Sequence, residues 1–86
     1  MKFVFTELSW EDYLYWQKID KSKIKRINEL LKDISRSPYE GIGKPEPLKH
    51  HLIGRWSRRI NQEHRLVYEV IETDNVILIH SLKGHY

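Results

Sequence analysis

The sequence predicts an α+β domain: an N-terminal strand, then two helices packed on one face of a mostly antiparallel sheet of four to five strands. Three observations lead there. The first residues alternate like a strand, the next thirty or so carry helical caps and helical apolar spacing, and the second half breaks into short apolar runs between polar turns. At 86 residues the chain reads as a single domain spanning 1–86. Folding at that size buries only about 60–65% of the surface the unfolded chain exposes.

The elements follow in order. Lys2 to Thr6 places Phe3 and Phe5 on one side and Val4 on the other, a short opening strand. Ser9 with Asp12 three residues on reads as an N-cap and a third-position carboxylate, opening a helix that runs to about Ile19 with Trp10, Tyr13, Leu14 and Gln17 on one face. Asp20 can cap a second helix whose Ile24, Ile27, Leu31 and Ile34 form the apolar stripe, leaving Lys21, Lys23, Lys25, Arg26 and Lys32 largely on the wet side. Ser37-Pro38 ends it, because the residue before proline is pushed out of the helical region.

Residues 38–48 hold all three prolines and read as an ordered loop without regular structure. Strands are then expected at about Lys49–Ile53, Trp56–Ile60 and Leu66–Ile71, with turns at Gly54 and at Asn61-Gln62-Glu63-His64. After the polar turn Glu72-Thr73-Asp74-Asn75, Val76–Leu82 is apolar on both faces, as a central strand covered by helices would be. The opposite face of the sheet is left for a ligand.

Composition narrows the function. The chain has no cysteine, which excludes disulfides and thiolate metal sites. Its longest apolar run, Val76 to Ile79, is too short to cross a bilayer, and Met1-Lys2-Phe3-Val4-Phe5 has no signal-peptide character, so a cytoplasmic location without membrane contact is expected. The net charge of +3 is unevenly spread. Lys44, Lys49, Arg55, Arg58, Arg59 and Arg65 face only Glu46 and Glu63 in the 44–65 window, a balance of +4 against −1 for the rest of the chain. Such a segment fits either a solvated charged hairpin or a phosphate-bearing partner.

There is no glycine-rich phosphate loop, no H-E-x-x-H and no paired acidic motif for magnesium, and His50-His51 on a strand would point to opposite faces, so neither a metal nor a cofactor is expected. Metal-free RNA cleavage needs a base for the 2′-hydroxyl, a cation for the growing phosphate charge and an acid for the 5′-oxygen. Glutamate or histidine can be the base, arginine the clamp and histidine the acid. Glu46 is held extended between Pro45 and Pro47, Arg65 opens a strand inside the basic segment, and His85-Tyr86 closes the chain.

The runs Gly43-Lys44-Pro45-Glu46-Pro47-Leu48-Lys49-His50, Gly54-Arg55-Trp56-Ser57-Arg58-Arg59-Ile60 and Glu63-His64-Arg65-Leu66-Val67-Tyr68, with terminal His85-Tyr86, closely resemble the Txe/YoeB toxins of the RelE/ParE superfamily. Trp10-Glu11-Asp12-Tyr13 and Lys25-Arg26-Ile27-Asn28-Glu29-Leu30 extend the likeness along the whole chain. The resemblance implies a RelE-like fold and a ribosome-dependent endoribonuclease that cuts mRNA in the A site. It further implies Glu46 as general base, Arg65 as phosphate clamp, His85 as general acid and Tyr86 as the group orienting substrate. Lys44, Lys49, Arg58 and Arg59 are assigned to RNA phosphates. Gly84 stands where some members place a bulky aromatic, which puts in doubt a stacking role just before the histidine.

The same resemblance implies a YefM-type antitoxin, repression of the operon by the toxin-antitoxin complex on operator DNA, and leaves monomer and homodimer both open. An acidic, partly disordered antitoxin tail would be drawn to the basic hairpin and order on binding. Two rivals share much of this surface: a ParE-like gyrase inhibitor, which has no need of Glu46, Arg65 and His85 together, and a non-catalytic nucleic-acid or ribosome-binding module. A site finished by the last two residues would also be impaired by a C-terminal extension.

Overall fold

The computed structural model describes residues 1–84 and contains β1 (Lys2–Phe5), α1 (Glu7–Ile19), α2 (Lys21–Arg36), β2 (Glu46–Pro47), β3 (Arg55–Arg59), β4 (Arg65–Ile71) and β5 (Val76–Ser81). The five strands form one sheet in the order β1-β5-β4-β3-β2. Among the described residues only the β1/β5 pair is parallel; the chain between these two strands runs through both helices and the other three strands. The expected α+β arrangement is therefore present, with β5 internal between β1 and β4.

The first helix begins earlier than its sequence suggests. Thr6, not Ser9, is the N-cap: its hydroxyl accepts the Ser9 N–H at 3.1 Å, while the Ser9 hydroxyl donates to the Thr6 carbonyl at 3.1 Å. Ser9 is thus a buried first-turn residue, and the face turned inward is Ser9, Asp12 and Trp16. Trp10 and Leu14, expected inside, are exposed, although Trp10 stacks on Tyr13 at 5.6 Å with Phe5 against their edges. Apolar periodicity misses this face because two of its three residues are polar. Hydrogen bonds offset the cost of that burial, those of Ser9 with Thr6 and that of Asp12 with the Leu82 N–H.

The second helix follows its sequence closely. Asp20 accepts the Ser22 and Lys23 backbone N–H groups at 3.0 and 3.4 Å. Hydrogen bonds from Ser22, then from Lys23, lower its carboxyl to a pKa of about 2. Ile27, Leu30 and Ile34 are fully buried against Leu66, Tyr68, Ile77 and Ile79 of the sheet. Ser37 is the C-cap, as the following proline dictates.

Two expectations between residues 38 and 54 are corrected. Lys49–Ile53 is not a strand: His50 to Leu52 form a 3-10 turn, opened by His50 at φ 59. The edge strand is instead Glu46–Pro47, inside the segment read as irregular, pairing Glu46 with Ser57 and Pro47 with Trp56. A proline lacks the N–H an internal strand needs, so this pairing is confined to the sheet edge.

The loop over residues 37–43 is ordered by a polar centre. Arg58 is fully buried and all five of its guanidinium hydrogens are used. They go to Tyr68 Oη (3.2 Å), Asp33 Oδ2 (2.6 Å) and the carbonyls of Ile42 (3.1 Å), Ser37 (2.6 Å) and Glu40 (2.9 Å). The Tyr68 hydroxyl donates to the Pro38 carbonyl, and the Ile42 N–H donates to Asp33. Gly41, at φ 124, sits so close that a Cβ there would collide with the Asp33 carboxylate.

Candidate active site and nucleic-acid interface

Register decides which side chains share a face. Leu66 and Tyr68 of β4 point to the helices, so Arg65, Val67 and Glu69 point away from them. Direct partners across antiparallel strands share a face, which adds Arg59 opposite Arg65, Ser57 opposite Val67 and Arg55 opposite Glu69. Glu46 pairs with Ser57 and joins the same surface. The helix-free face therefore carries Glu46, with the Arg59–Arg65 pair two residues along. Ideal strand spacings put the Glu46 and Arg65 Cα atoms about 12 Å apart, near enough for both side chains to reach one group from opposite sides.

Arg65 is half-buried, and its Nη1 donates to the carbonyls of Asn61 (2.9 Å) and Gln62 (3.4 Å), which aims the guanidinium from the β3–β4 turn. Among the described residues no carboxylate pairs with Arg65 or Arg59. Lys44 and Lys49 flank the edge strand and are exposed, Lys44 in the left-handed region at φ 52. These groups form a basic rim around the Glu46 carboxylate, an arrangement suited to a phosphodiester with an acid-base group beside it.

The chain's last described residues return to this rim. At the end of β5 the pairing shifts, Tyr68 opposing Ile79 while Val67 opposes Ser81, so His80 is an extra residue and reaches Glu69 at 3.0 Å. The irregularity turns Leu82 into the core. There the Leu82 N–H donates to Asp12 Oδ2 at 3.0 Å, and its carbonyl accepts from Trp16 Nε1 at 2.9 Å. Lys83 Nζ lies 3.9 Å from the centre of the Tyr15 ring. The Gly84 carbonyl accepts the Arg65 backbone N–H at 2.9 Å, and its N–H donates to His64 Nδ1 at 2.8 Å. His85 and Tyr86, the sequence's acid and orienting residue, lie outside the described residues.

The family model for a YoeB-like toxin of bacterial type II toxin-antitoxin systems matches residues 5–86. This chain belongs to that family. It is 60% identical to Toxin YoeB of Escherichia coli over 86 residues, covering the whole of both chains. Its structure is similar to the YoeB/ParE toxin from Agrobacterium tumefaciens (TM-score 0.97, 44% identity, all of both chains). It is also similar to the toxin chain of a YoeB-YefM complex from Staphylococcus aureus (TM-score 0.90, 53% identity, all of this chain and 98% of the other).

In this YoeB-family chain the basic segment separates into two kinds of arginine. Arg59, Arg65, Lys44 and Lys49 stand on or beside the open face, but Arg58 does not. Expected to contact RNA phosphate, it faces the helices opposite Leu66 and is wholly enclosed, with no hydrogen left to donate. Its phosphate role is withdrawn. Alternation along β3 was the available signal, since Arg58 and Arg59 must lie on opposite faces.

Asp33 gives this buried centre a pH dependence. The Ile42 N–H, then the Arg58 side chain, hold its carboxyl below the ordinary value of 3.8. A carboxyl depressed by folding contributes stability above its ordinary value, and that stability is lost as pH falls through the lowered one. Denaturant unfolding is therefore expected to show stability declining below about pH 4, with a shallower decline in Asp33→Asn. An identical acid limb in the variant would remove Asp33 as a cause.

Sequence reasoning overlooked Asp12, Trp16 and His64, which hold Leu82 and Gly84. In sequence Asp12 has the place of a capping carboxylate and His64 that of a turn residue. The one available signal was a carboxylate and an indole on one helical face with Ser9. Among the described residues no three His, Cys, Asp or Glu side chains gather to hold a metal ion.

Proposed function

We propose that this YoeB-family chain is a ribosome-dependent, metal-independent endoribonuclease that cuts translated mRNA in the ribosomal A site. One observation carries the reading: Glu46 shares the open sheet face with Arg59 and Arg65, and Arg65 also hydrogen-bonds the residue from which the chain runs into His85 and Tyr86. Glu46 takes the 2′-hydroxyl proton, the 2′-oxygen attacks phosphorus, and Arg65 balances the added negative charge. The bond to the 5′-oxygen breaks as His85 protonates it, and Tyr86 orients the substrate. The products are a 2′,3′-cyclic phosphate, or the 3′-phosphate after its hydrolysis, and a 5′-hydroxyl. Lys44, Lys49 and Arg59 hold neighbouring phosphates.

The place of action is the cytoplasm, where ribosomes and message meet. No helix among the described residues is long and apolar enough to cross a membrane. A YefM-type antitoxin is the partner, by analogy with the Staphylococcus aureus complex, and together they act on operator DNA to repress the operon. The deciding experiment offers purified protein to mRNA-programmed ribosomes in excess EDTA. Cleavage with a cyclic-phosphate end is expected, with Glu46→Gln slower by about 10²–10⁴-fold. Tight ribosome binding without cleavage by the folded wild type would instead identify a binding module.

A further inference from the structure

We infer that His64 is a positioning residue for the catalytic end of the chain, acting as a neutral acceptor that latches Gly84. The inference rests on the nuclease reading above and assigns a role to a residue that reading does not use.

The geometry specifies which nitrogen does what. Gly84 N–H points at His64 Nδ1 at 2.8 Å, so Nδ1 must offer a lone pair and the ring proton must sit on Nε2. A proton on Nδ1 would set N–H against N–H. The residue is held at its backbone and at its ring. Its own backbone N–H donates to Asn61 Oδ1 at 2.7 Å, its carbonyl accepts from Ile60 at 2.9 Å, and its face or edge packs on Trp16 at 4.8 Å and 69°. Only 15% of the side chain is exposed. Among the described residues, the carboxylate paired with Nε2 is that of the exposed Glu63, at 4.0 Å.

Both backbone groups of Gly84 are thereby fixed by consecutive residues, the N–H by the His64 ring and the carbonyl by the Arg65 N–H. The unit that aims the phosphate clamp also aims the residue before the proposed acid. A chain end would otherwise fray, and a shift of about 1 Å in a reacting group can cost about 10²-fold in rate. Gly84 sits at φ 77, a left-handed conformation that suits glycine, and among the described residues nothing lies within 4 Å of an added Cβ there.

His64→Leu removes the acceptor at similar size, whereas His64→Asn returns an oxygen on Cγ where Nδ1 was. On mRNA-programmed ribosomes the leucine variant is expected to lose about 10- to 100-fold in kcat with little change in KM, and the asparagine variant to recover most of it. In the free protein, the Gly84 amide should resist hydrogen exchange in wild type and in His64→Asn but not in His64→Leu. The ¹⁵N shifts of wild-type His64 should show Nδ1 unprotonated. A wild type that cuts nothing overturns the nuclease reading and the positioning role with it. A cutting wild type with an equally active, folded leucine variant overturns the positioning role alone, as does a wild-type ring protonated on Nδ1.

Discussion

Arg58→Ala is expected to destabilise the protein by about 3–5 kcal/mol, the usual consequence of removing one partner of a buried ion pair. Total stability for a chain of this size is about 4–13 kcal/mol, so the variant should unfold at far lower denaturant or not accumulate folded. The loss exceeds one ion pair, because the guanidinium also satisfies Tyr68 and the carbonyls of Ser37, Glu40 and Ile42. Arg58→Lys should recover only part of it, having three donors in place of five. The double variant Asp33→Leu, Arg58→Met should remain destabilised, because the loop carbonyls are still without donors. Arg59→Ala, one residue on, should lie within about 0.5 kcal/mol of wild type while weakening ribosome binding and flattening its salt dependence. Equal stability losses at the two positions, measured by urea unfolding, would show that the division between them is wrong.

His85→Gln is expected to lower cleavage on programmed ribosomes by about 10²–10⁴-fold, the range for loss of a general acid, while ribosome binding stays nearly intact. The expectation gains from how the chain reaches His85. Leu82 is gripped by Asp12 and Trp16, and Gly84 by His64 and Arg65, so the preceding segment is not a loose tail. For the same reason a C-terminal tag, which places new chain beyond Tyr86, should impair cutting. Equal cleavage by wild type and His85→Gln would take His85 out of the mechanism, and full activity in a tagged protein would show that the chain's end is not part of the site.

The second helix and the internal position of β5 were legible because each depends on a local, repetitive apolar pattern. The edge strand was not. Lys49–Ile53 looks more like a strand than Glu46–Pro47, but the left-handed His50 ends extension there, and β3 pairs with the two residues held straight by prolines. The inward face of α1 was hidden for a related reason. Periodicity scores apolar side chains, whereas Asp12 is turned inward by a backbone N–H seventy residues away in sequence.

By itself, then, the sequence determined the α+β class, the two-helix order, the family and the residue types available for metal-free phosphate chemistry, since these rest on composition, local spacing and motif. Tertiary structure decided which of those residues share a surface. Strand register placed Glu46, Arg59 and Arg65 together and turned Arg58 to the opposite side, where burial required every one of its donors to find an acceptor. Long-range hydrogen bonds likewise tied Leu82 to Asp12 and Trp16 of the first helix, and Gly84 to His64 and Arg65. Register and long-range pairing are properties of strands meeting in space, and no spacing along the chain records them.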